Sequence, residues 1–289
     1  MFTYLILHYK NADVTEQCLD FLLNLDSQDS TMVVVDNASN NGSYESLLKK
    51  YGDNQRIHFI KNEENLGYAA GNNVGFRYAK ESLGAEWIVL LNNDVVVEQK
   101  DFQRKVLEEY EKHSFYLAGP DIVTPEGNSQ NPYLTDCPDK KTIRKKLLHD
   151  YIVLFLMKIR LQQVLKKLLH YDGSIFQPNE VGTIEDFHGV LHGSCLIFSP
   201  DFIREFNGLY GGTFLYCEEE ILCYILNRLG CRYSYLKSLR VIHKHSVSMK
   251  REIKDENRRK MTEISRRIVS YKKFLKIAKA KEKIGDFLR

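Results

Sequence analysis

Two amides and a carboxylate, Asn92, Asn93 and Asp94, interrupt an apolar run that reads Trp87-Ile88-Val89-Leu90-Leu91 before them and Val95-Val96-Val97 after them. Flanks of this kind, largely β-branched, make a strand buried on both faces. Polar groups held inside such a strand without partners cost free energy, so they should emerge at its end, where a ligand or metal ion can satisfy them. A second carboxylate, Asp36, closes another buried run, Thr31-Met32-Val33-Val34-Val35. Either aspartate alone reads as well as a helix cap or turn residue. Together at one sheet edge, and with no Gly-x-Gly-x-x-Gly in the chain to hold a dinucleotide, they suit a site where one carboxylate reads a nucleoside. The other would hold a hard cation beside diphosphate oxygens.

A third acidic group lies further on. Glu218-Glu219-Glu220 sits between Phe214-Leu215-Tyr216-Cys217 and Ile221-Leu222-Cys223. Carboxylates favour a helix N-terminus, so one reading is a solvated helix start. The apolar neighbours support another: a partly buried carboxyl, its pKa raised, is suited to take a hydroxyl proton near neutral pH.

The elements that must position these groups alternate along the chain. Strands are expected at 3–9, 31–36, 57–60 and 87–97, and helices at 13–25, 43–51, from the 65–76 segment to about Leu83, and over 101–112. Such alternation makes a mostly parallel sheet with right-handed crossovers. Ligands bind beyond the carboxyl ends of its strands, the edge that Asp36 and Asp94 share. The second half is less regular: a helical segment around 141–169, a strand-like stretch at 190–198, a helix opening at Glu218 and running to about Leu229, a strand over 233–242, and one long basic helix over 252–284.

Several motifs then recur in a familiar order. Asp36-Asn-Ala-Ser, Asn65-Leu-Gly67-Tyr-Ala-Ala-Gly71-Asn-Asn73, Leu-Asn92-Asn93-Asp94, Gly193-Ser194-Cys195, Phe206-Asn207-Gly208-Leu209-Tyr210, Phe214-Leu-Tyr-Cys-Glu218-Glu219 and a late His243 together resemble the family 2 inverting glycosyltransferases, especially the rhamnosyltransferase-like branch. The resemblance covers roughly residues 1–250 and implies a GT-A fold. That is a Rossmann-like α/β architecture with a mixed, mostly parallel sheet flanked by helices, here carrying a helical insert and a C-terminal helical extension. It implies a nucleotide-sugar-binding half over 1–118, an acceptor half over 119–250 with a basic amphipathic insert at about 139–170, and an extension over 251–289.

By the same resemblance, Asp36 would accept a hydrogen bond from the donor's base, and Asn65, Gly67, Asn73, Asn92 and Asn93 would line the donor site. Asp94 would bind Mn²⁺ or Mg²⁺ on the diphosphate, with His243 completing the metal shell. Glu219 would be the general base, with Glu218 as the alternative. His192, Gly193 and Ser194 would meet the acceptor, with His188 a further candidate. The family's usual Asp-x-Asp is here Asn92-Asn93-Asp94, and its later acidic residue after the base is Ile221. The implied reaction moves a sugar, UDP- or dTDP-linked, to a hydroxyl of a glycan or lipid-linked saccharide in polysaccharide synthesis.

Composition narrows the alternatives. The 289 residues have 43% hydrophobic content, ordinary for a globular chain, and six cysteines. The cysteines form no Cys-x-x-Cys pair and read as reduced thiols of a cytosolic protein. The opening Met1–Tyr9 reads as a first strand, not a signal peptide, and no apolar run reaches the roughly 20 residues of a membrane span.

Charge is unevenly divided. Residues 139–170 carry a net +7 and residues 250–289 a net +9, whereas the whole chain is +3, which leaves −13 for the rest. The insert's apolar residues, Ile143, Leu147, Leu148, Tyr151, Ile152, Phe155, Ile159, Leu165, Leu168 and Leu169, fall near helical spacing. They suit either a helix packed on the domain or one lying on an anionic membrane. The tail's stripe of Met261, Ile264, Ile268, Tyr271, Leu275 and Ala278 could pack on the body, pair in a homodimer or meet lipid. The expectation is a cytoplasmic enzyme held peripherally at the inner face of the cell membrane. Rival readings are a nucleotidyltransferase, which the sequence after the first strand, His8-Tyr9-Lys10-Asn11-Ala12, disfavours, and a non-catalytic protein bound to membrane or nucleic acid. The tail's few aromatics argue against nucleic acid.

Overall fold

The computed structural model of the protein describes residues 1–25, 29–159, 161, 183–244, 255–280 and 283–289. Its first half follows the expected alternation: β1 (Phe2–His8), α1 (Ala12–Leu23), β2 (Thr31–Asp36), α2 (Ser43–Tyr51), β3 (Ile57–Lys61), α3 (Tyr68–Glu81), β4 (Trp87–Asn92), β5 (Val95–Val96) and α4 (Phe102–Lys112). The second half adds β6 (Leu117–Val123), α5 (Lys140–Lys158), β7 (Cys195–Phe198), α6 (Pro200–Glu205), α7 (Glu218–Leu229), β8 (Tyr233–His243) and α8 (Glu256–Ile277), then a 3₁₀ turn at Ile284–Leu288.

Among the described residues, the eight strands form one sheet in the order β3-β2-β1-β4-β7-β6-β8-β5. Strands β3, β2, β1 and β4 are parallel neighbours. Strand β7 runs against both β4 and β6, and β5 runs against β8, while β6 and β8 are parallel. Six strands therefore share one direction. Alternate residues of β1, β2 and β4 feed opposite faces, as period-2 side-chain geometry demands. Leu5, Val33, Val35 and Leu90 pack with α3, α6, α7 and α8. Tyr4, Ile6, Met32, Val34 and Leu91 pack with α1, α2 and α4. Burial on both faces explains why these strands read as unbroken apolar runs.

Three expectations need correction. The stretch 190–198 is strand only over Cys195–Phe198, because Val190 bridges Leu134 instead and His192–Ser194 turn at the sheet edge. The tail helix is shorter than 252–284, spanning Glu256–Ile277 with the 3₁₀ turn after it. The insert helix ends at Lys158 among the described residues, and Leu165, Leu168 and Leu169 lie outside them.

The two basic helices pack on each other. Val153 of α5 meets Ile264 and Ile268 of α8 in a small core, and Arg267 makes a two-pronged ion pair with the buried Asp150 at 2.8 and 2.9 Å. Tyr271, Phe274, Ile277 and Ala278 continue into the main core. The tail stripe is thus spent on the body, and a dimer through this helix would have to use another face. Helix α5 divides its apolar residues: Ile143 and Val153 are buried, whereas Leu148, Tyr151, Ile152 and Phe155 are exposed, as is Ile159 just after its end. Among the described residues, no helix is long and apolar enough to cross a membrane. The six cysteines are unpaired thiols, four of them buried.

Candidate active site

Because β2, β4 and β8 share one direction, their C-terminal residues Asp36, Asn92 and His243 reach the same edge of the sheet. Strand β7 starts at that edge, so the segment His192–Ser194 lies there as well. Its carbonyl at Ser194 accepts from the Asn92 backbone N–H at 2.9 Å. One side of the sheet thereby collects residues up to two hundred positions apart in sequence.

Asp94 occupies the turn between β4 and β5 and is brought against His243 by the pairing of Val95 with His243. The Asp94 Oδ1 to His243 Nε2 distance is 3.2 Å, with only 9% of each side chain exposed. Lys244 N–H donates to the Asp94 carbonyl at 2.9 Å, fixing the turn. The other ring nitrogen, Nδ1, lies 2.9 Å from Gln130 Oε1. With Nδ1 donating to that oxygen, Nε2 would be the ring atom that meets a cation bound by Asp94 Oδ1. A carboxylate with an imidazole whose far nitrogen is held by an oxygen supplies two of the donors that a divalent metal ion would need. No third His, Cys, Asp or Glu joins these two among the described residues, so diphosphate oxygens and water would have to supply the remaining ligands. His245 lies outside the described residues.

The two asparagines before Asp94 are structural partners of this turn. Asn93 Nδ2 donates to Thr15 Oγ1 at 3.0 Å. That hydroxyl also meets His8 Nδ1 at 2.8 Å, and His8 Nε2 meets Ser43 Oγ at 2.8 Å. Burial lowers the His8 pKa, and the charge of Asp36 only partly opposes this. The neutral ring ties the ends of β1 and β4 to the starts of α1 and α2.

Asp36 is wholly buried, and both its oxygens are engaged by Ser39: Oδ2 accepts from the backbone N–H at 3.2 Å and Oδ1 from the hydroxyl. Its turn-residue reading is therefore realised in this structure. Beside it, Asn37 Nδ2 donates to Asn65 Oδ1 at 3.0 Å and to the Gly67 carbonyl at 3.1 Å, while its Oδ1 accepts from Leu66 N–H at 3.0 Å. Asn65 is thus part of the loop that Asn37 organises.

Gly67 and Asn73 are placed differently from the expectation that both line the donor. Gly67 has φ +82°, and a Cβ there would come within 2.8 Å of Phe214 Cα. The close approach it permits is to that backbone, where Tyr68 N–H donates to the Phe214 carbonyl at 2.8 Å. Asn73 clasps Leu209, donating to its carbonyl at 2.7 Å and accepting from its N–H at 2.8 Å. Both residues join the start of α3 to the 209–214 segment.

The three glutamates form the first turn of α7. The backbone entering it is strained: Tyr216 and Cys217 have φ of 76° and 71°, values that non-glycine residues seldom adopt. Glu218 and Glu220 are buried and Glu219 is partly so. Burial pushes the Glu219 carboxyl up to about 8, and the charges of Glu218 and Glu220 add to the rise. Burial also raises Glu218 and Glu220, with Lys146 of α5 opposing the rise at Glu220. Groups this close titrate as a set. Among the described residues, Glu218 Oε1 is buried without a hydrogen-bond partner.

Gly193 touches Glu219: a Cβ on that glycine would fall 2.9 Å from the Glu219 carboxyl carbon. Tyr68 donates its hydroxyl to the Gly193 carbonyl at 2.6 Å. His192 Nδ1 accepts from Ser194 N–H at 3.1 Å, and its ring meets that of His243 edge-on at 5.6 Å. The 192–194 segment therefore borders Glu219 on one side and the Asp94–His243 pair on the other. His188 falls elsewhere. Its Nδ1 lies 3.1 Å from Asn227 Oδ1, about 13 Å along α7 from the glutamates at 1.5 Å per residue.

Gln130, Thr15, His8, Ser39 and Tyr68 escaped the sequence reading. Each is a common residue type in a loop or strand whose role depends on a partner distant in sequence or on a turn. The Asx-type spacing of Asp36 and Ser39 was the one local signal available.

The model of the family described as "Glycosyl transferase family 2" matches residues 3–169. The chain is 26% identical over 247 residues to the low-salt glycan biosynthesis hexosyltransferase Agl10 of Haloferax volcanii, covering 86% of this chain and 68% of that protein. It is 26% identical over 182 residues to rhamnosyltransferase WbbL of Escherichia coli, covering 61% and 60%. Among solved structures, GalNAc-T7 with UDP, GalNAc and Mn²⁺ aligns with a TM-score of 0.60 at 13% identity, over 86% of this chain and 44% of the other. The mannosyltransferase PcManGT of Pyrobaculum calidifontis, in complex with GDP-Man and Mn²⁺, aligns with a TM-score of 0.55 at 13% identity, over 96% and 72%. These likenesses show the GT-A fold: a mixed, mostly parallel sheet flanked by helices.

Proposed function

Because the chain belongs to glycosyl transferase family 2, we propose that it is an inverting, metal-dependent enzyme. It would move a hexosyl or rhamnosyl group from a UDP- or dTDP-linked donor to a hydroxyl of a glycan or lipid-linked saccharide in polysaccharide synthesis. The observation that carries this reading is the 192–194 segment, which abuts the Glu219 carboxylate at Gly193 and the His243 ring at His192. A proton acceptor and a diphosphate station then flank one short stretch of backbone. Residues 1–118 would form the donor half, 119–250 the acceptor half and 251–289 an extension bracing the latter.

In this reading Asp94 and His243 hold Mn²⁺ or Mg²⁺, which when bound would offset the negative charge gathering on the departing nucleoside diphosphate. Asp36 lies at the base end of the donor cleft, where the Ser39 hydroxyl now bonded to it is the group that a base N–H would replace. Asn65, Asn92 and Asn93 shape the cleft floor. Glu219 takes the proton of the acceptor hydroxyl as its oxygen attacks the anomeric carbon and the bond to diphosphate breaks on the opposite face. The proton stays on Glu219, the nucleoside diphosphate leaves, and the configuration inverts. Its raised pKa suits a base that must capture a hydroxyl proton from bound substrate. Positive charge on the sugar ring peaks in the transition state, as in glycoside hydrolysis. His192 and Ser194 border the acceptor.

Peripheral attachment to an anionic membrane is part of the proposal. It is supported by Leu148, Tyr151, Ile152 and Phe155 exposed on α5, a helix that also carries Lys140, Lys141, Arg144, Lys145 and Lys158. Release of nucleoside diphosphate from a panel of nucleotide sugars, measured with and without Mn²⁺, tests the enzyme reading. A protein that hydrolyses and transfers none of them fails it.

A further inference from the structure

A groove of about 1600 Å³ is lined by residues of α5 and α8 and by Phe214. Its lining has two chemistries. Met157, Phe214 and Val269 give it apolar walls, and Lys158, Arg258 and Arg267 give it cationic ones. Asp255 and Glu263 also border it, but Asp255 is occupied in accepting from the Arg258 backbone N–H at 2.8 Å, and Glu263 faces Arg259 at 3.8 Å. Arg267 is engaged by Asp150. Among the described residues, no acidic side chain pairs with Lys158 or Arg258, and both are exposed. Among the described residues, the lining therefore carries more positive than negative charge next to apolar surface.

One end of this groove, at Phe214, adjoins the segment that leads into the glutamates. The Arg266 guanidinium sits 4.8 Å from the centre of the Phe214 ring, and Ser270 donates its hydroxyl to the Leu215 carbonyl at 3.0 Å. Phe214 and Leu215 belong to the strained segment that delivers Glu218 and Glu219, and Phe214 also contacts Gly67 of the donor half. A molecule lodged in the groove would hold whatever it carries at the mouth of the acceptor site.

We propose that the groove between α5 and α8 seats an acceptor that is an amphiphile: an alkyl or isoprenoid chain joined through phosphate or diphosphate to the sugar that receives the transfer. The chain lies along Met157 and Val269, the phosphate meets Lys158 and Arg258, and the sugar projects past Phe214 toward Glu219. This deepens the glycosyltransferase reading and rests on it for the identity of the carried sugar. A purely polar glycan leaves the apolar wall without a role, and a neutral lipid leaves the cations without one. A phosphate-linked lipid uses both.

The test is direct binding of decyl diphosphate, kept below its micelle concentration so that adsorption to a lipid surface cannot contribute. The comparison ligands are inorganic pyrophosphate and decyl glucoside, each carrying one half of the chemistry. The intact protein should bind decyl diphosphate at least about tenfold more tightly than either. The doubly reversed variant Lys158→Glu/Arg258→Glu should lose about tenfold or more for decyl diphosphate and little for decyl glucoside. The milder Lys158→Gln/Arg258→Gln pair serves if the reversed protein does not fold. Equal binding of decyl diphosphate to wild-type and variant protein overturns the proposal, as does pyrophosphate binding as tightly as the alkyl compound. Neither donor nor turnover enters this assay. A protein that cleaves nucleotide sugars yet ignores the amphiphile sinks this inference alone.

Discussion

A side chain at Gly193 and the observed position of Glu219 exclude each other, since a Cβ there would meet the glutamate's carboxyl carbon at 2.9 Å. The glycine stands just before Ser194, whose carbonyl is bonded to Asn92 at the end of β4. The place of the proposed base is therefore set from the end of β4 as well as by its own helix.

Gly193→Ala should separate folding from catalysis. The clash falls on a flexible carboxylate rather than on backbone, so the protein should keep a Tm close to wild type. Displacing a catalytic group by even 1 Å costs on the order of 10²-fold in rate, and the loss should appear in kcat while the KM for donor stays similar. An active alanine variant would remove Glu219 from the reaction.

The pH profile follows from the raised Glu219 carboxyl. Only its ionised form accepts a proton, so transfer should climb as pH rises and level off above about 8. Glu219→Gln should abolish that limb and reduce kcat by roughly 10²–10⁴-fold. Stability should move the opposite way. A carboxyl whose pKa is higher folded than unfolded favours the fold when protonated, and that advantage is lost between the ordinary carboxylate range and about 8. Thermal melts at pH 9 should thus find Glu219→Gln more stable than wild type, with the difference vanishing at pH 4. A wild-type rate that is flat from pH 6 to 9 would contradict the assignment.

Metal dependence should track the Asp94–His243 pair. Chelation should stop transfer, and Mn²⁺ should restore it. Asp94→Ala should not recover with added metal, and His243→Ala should recover only at high metal concentration. Gln130→Ala, which frees the far nitrogen of His243, should weaken metal affinity by about 10–100-fold, the usual cost of removing such a support. Full activity of the chelated protein would discard the metal.

Asp150→Ala should loosen the two basic helices. Asp150 is buried, but 33% of the Arg267 side chain is exposed, so screening reduces the loss to about 1–3 kcal/mol. At this size each kcal/mol lowers Tm by roughly 2–4 °C. Because α8 also holds the Leu215 carbonyl, activity should fall further than a remote destabilisation of equal size would bring it.

Vesicle flotation addresses attachment. The protein should float with anionic vesicles at low salt and be released as salt rises. Phe155→Ser with Leu148→Ser should weaken flotation without altering donor hydrolysis. No binding at low ionic strength would rule out the membrane.

Strand ends were legible because a doubly buried strand advertises itself as an apolar run, and its first polar residue marks where it leaves the core. Asp36 and Asp94 could be placed on one edge from that pattern with the parallel topology it implies, whereas His243 came with the family resemblance. What escaped notice depends on pairs far apart in sequence. The link from Asn93 through Thr15 to His8 includes a bond between residues 78 positions apart, and neither end has an unusual local sequence. Asn73 read as a donor-site residue because its motif sits beside Asn65, yet its amide clasps Leu209, which is 136 positions away. Helix α5 was ambiguous for a different reason: its apolar residues wrap around the helix, so spacing alone could not say which ones meet α8 and which meet solvent.

The bond from Ser270 to Leu215 spans 55 residues of chain, and that interval has a tempo. At 5–20 residues per second, a ribosome adds the bracing helix roughly 3–11 s after it has added the glutamates. During that time the strained turn at Tyr216 and Cys217 has nothing from α8 to hold it. A newborn chain therefore offers chaperones and proteases the start of α7 before its brace exists.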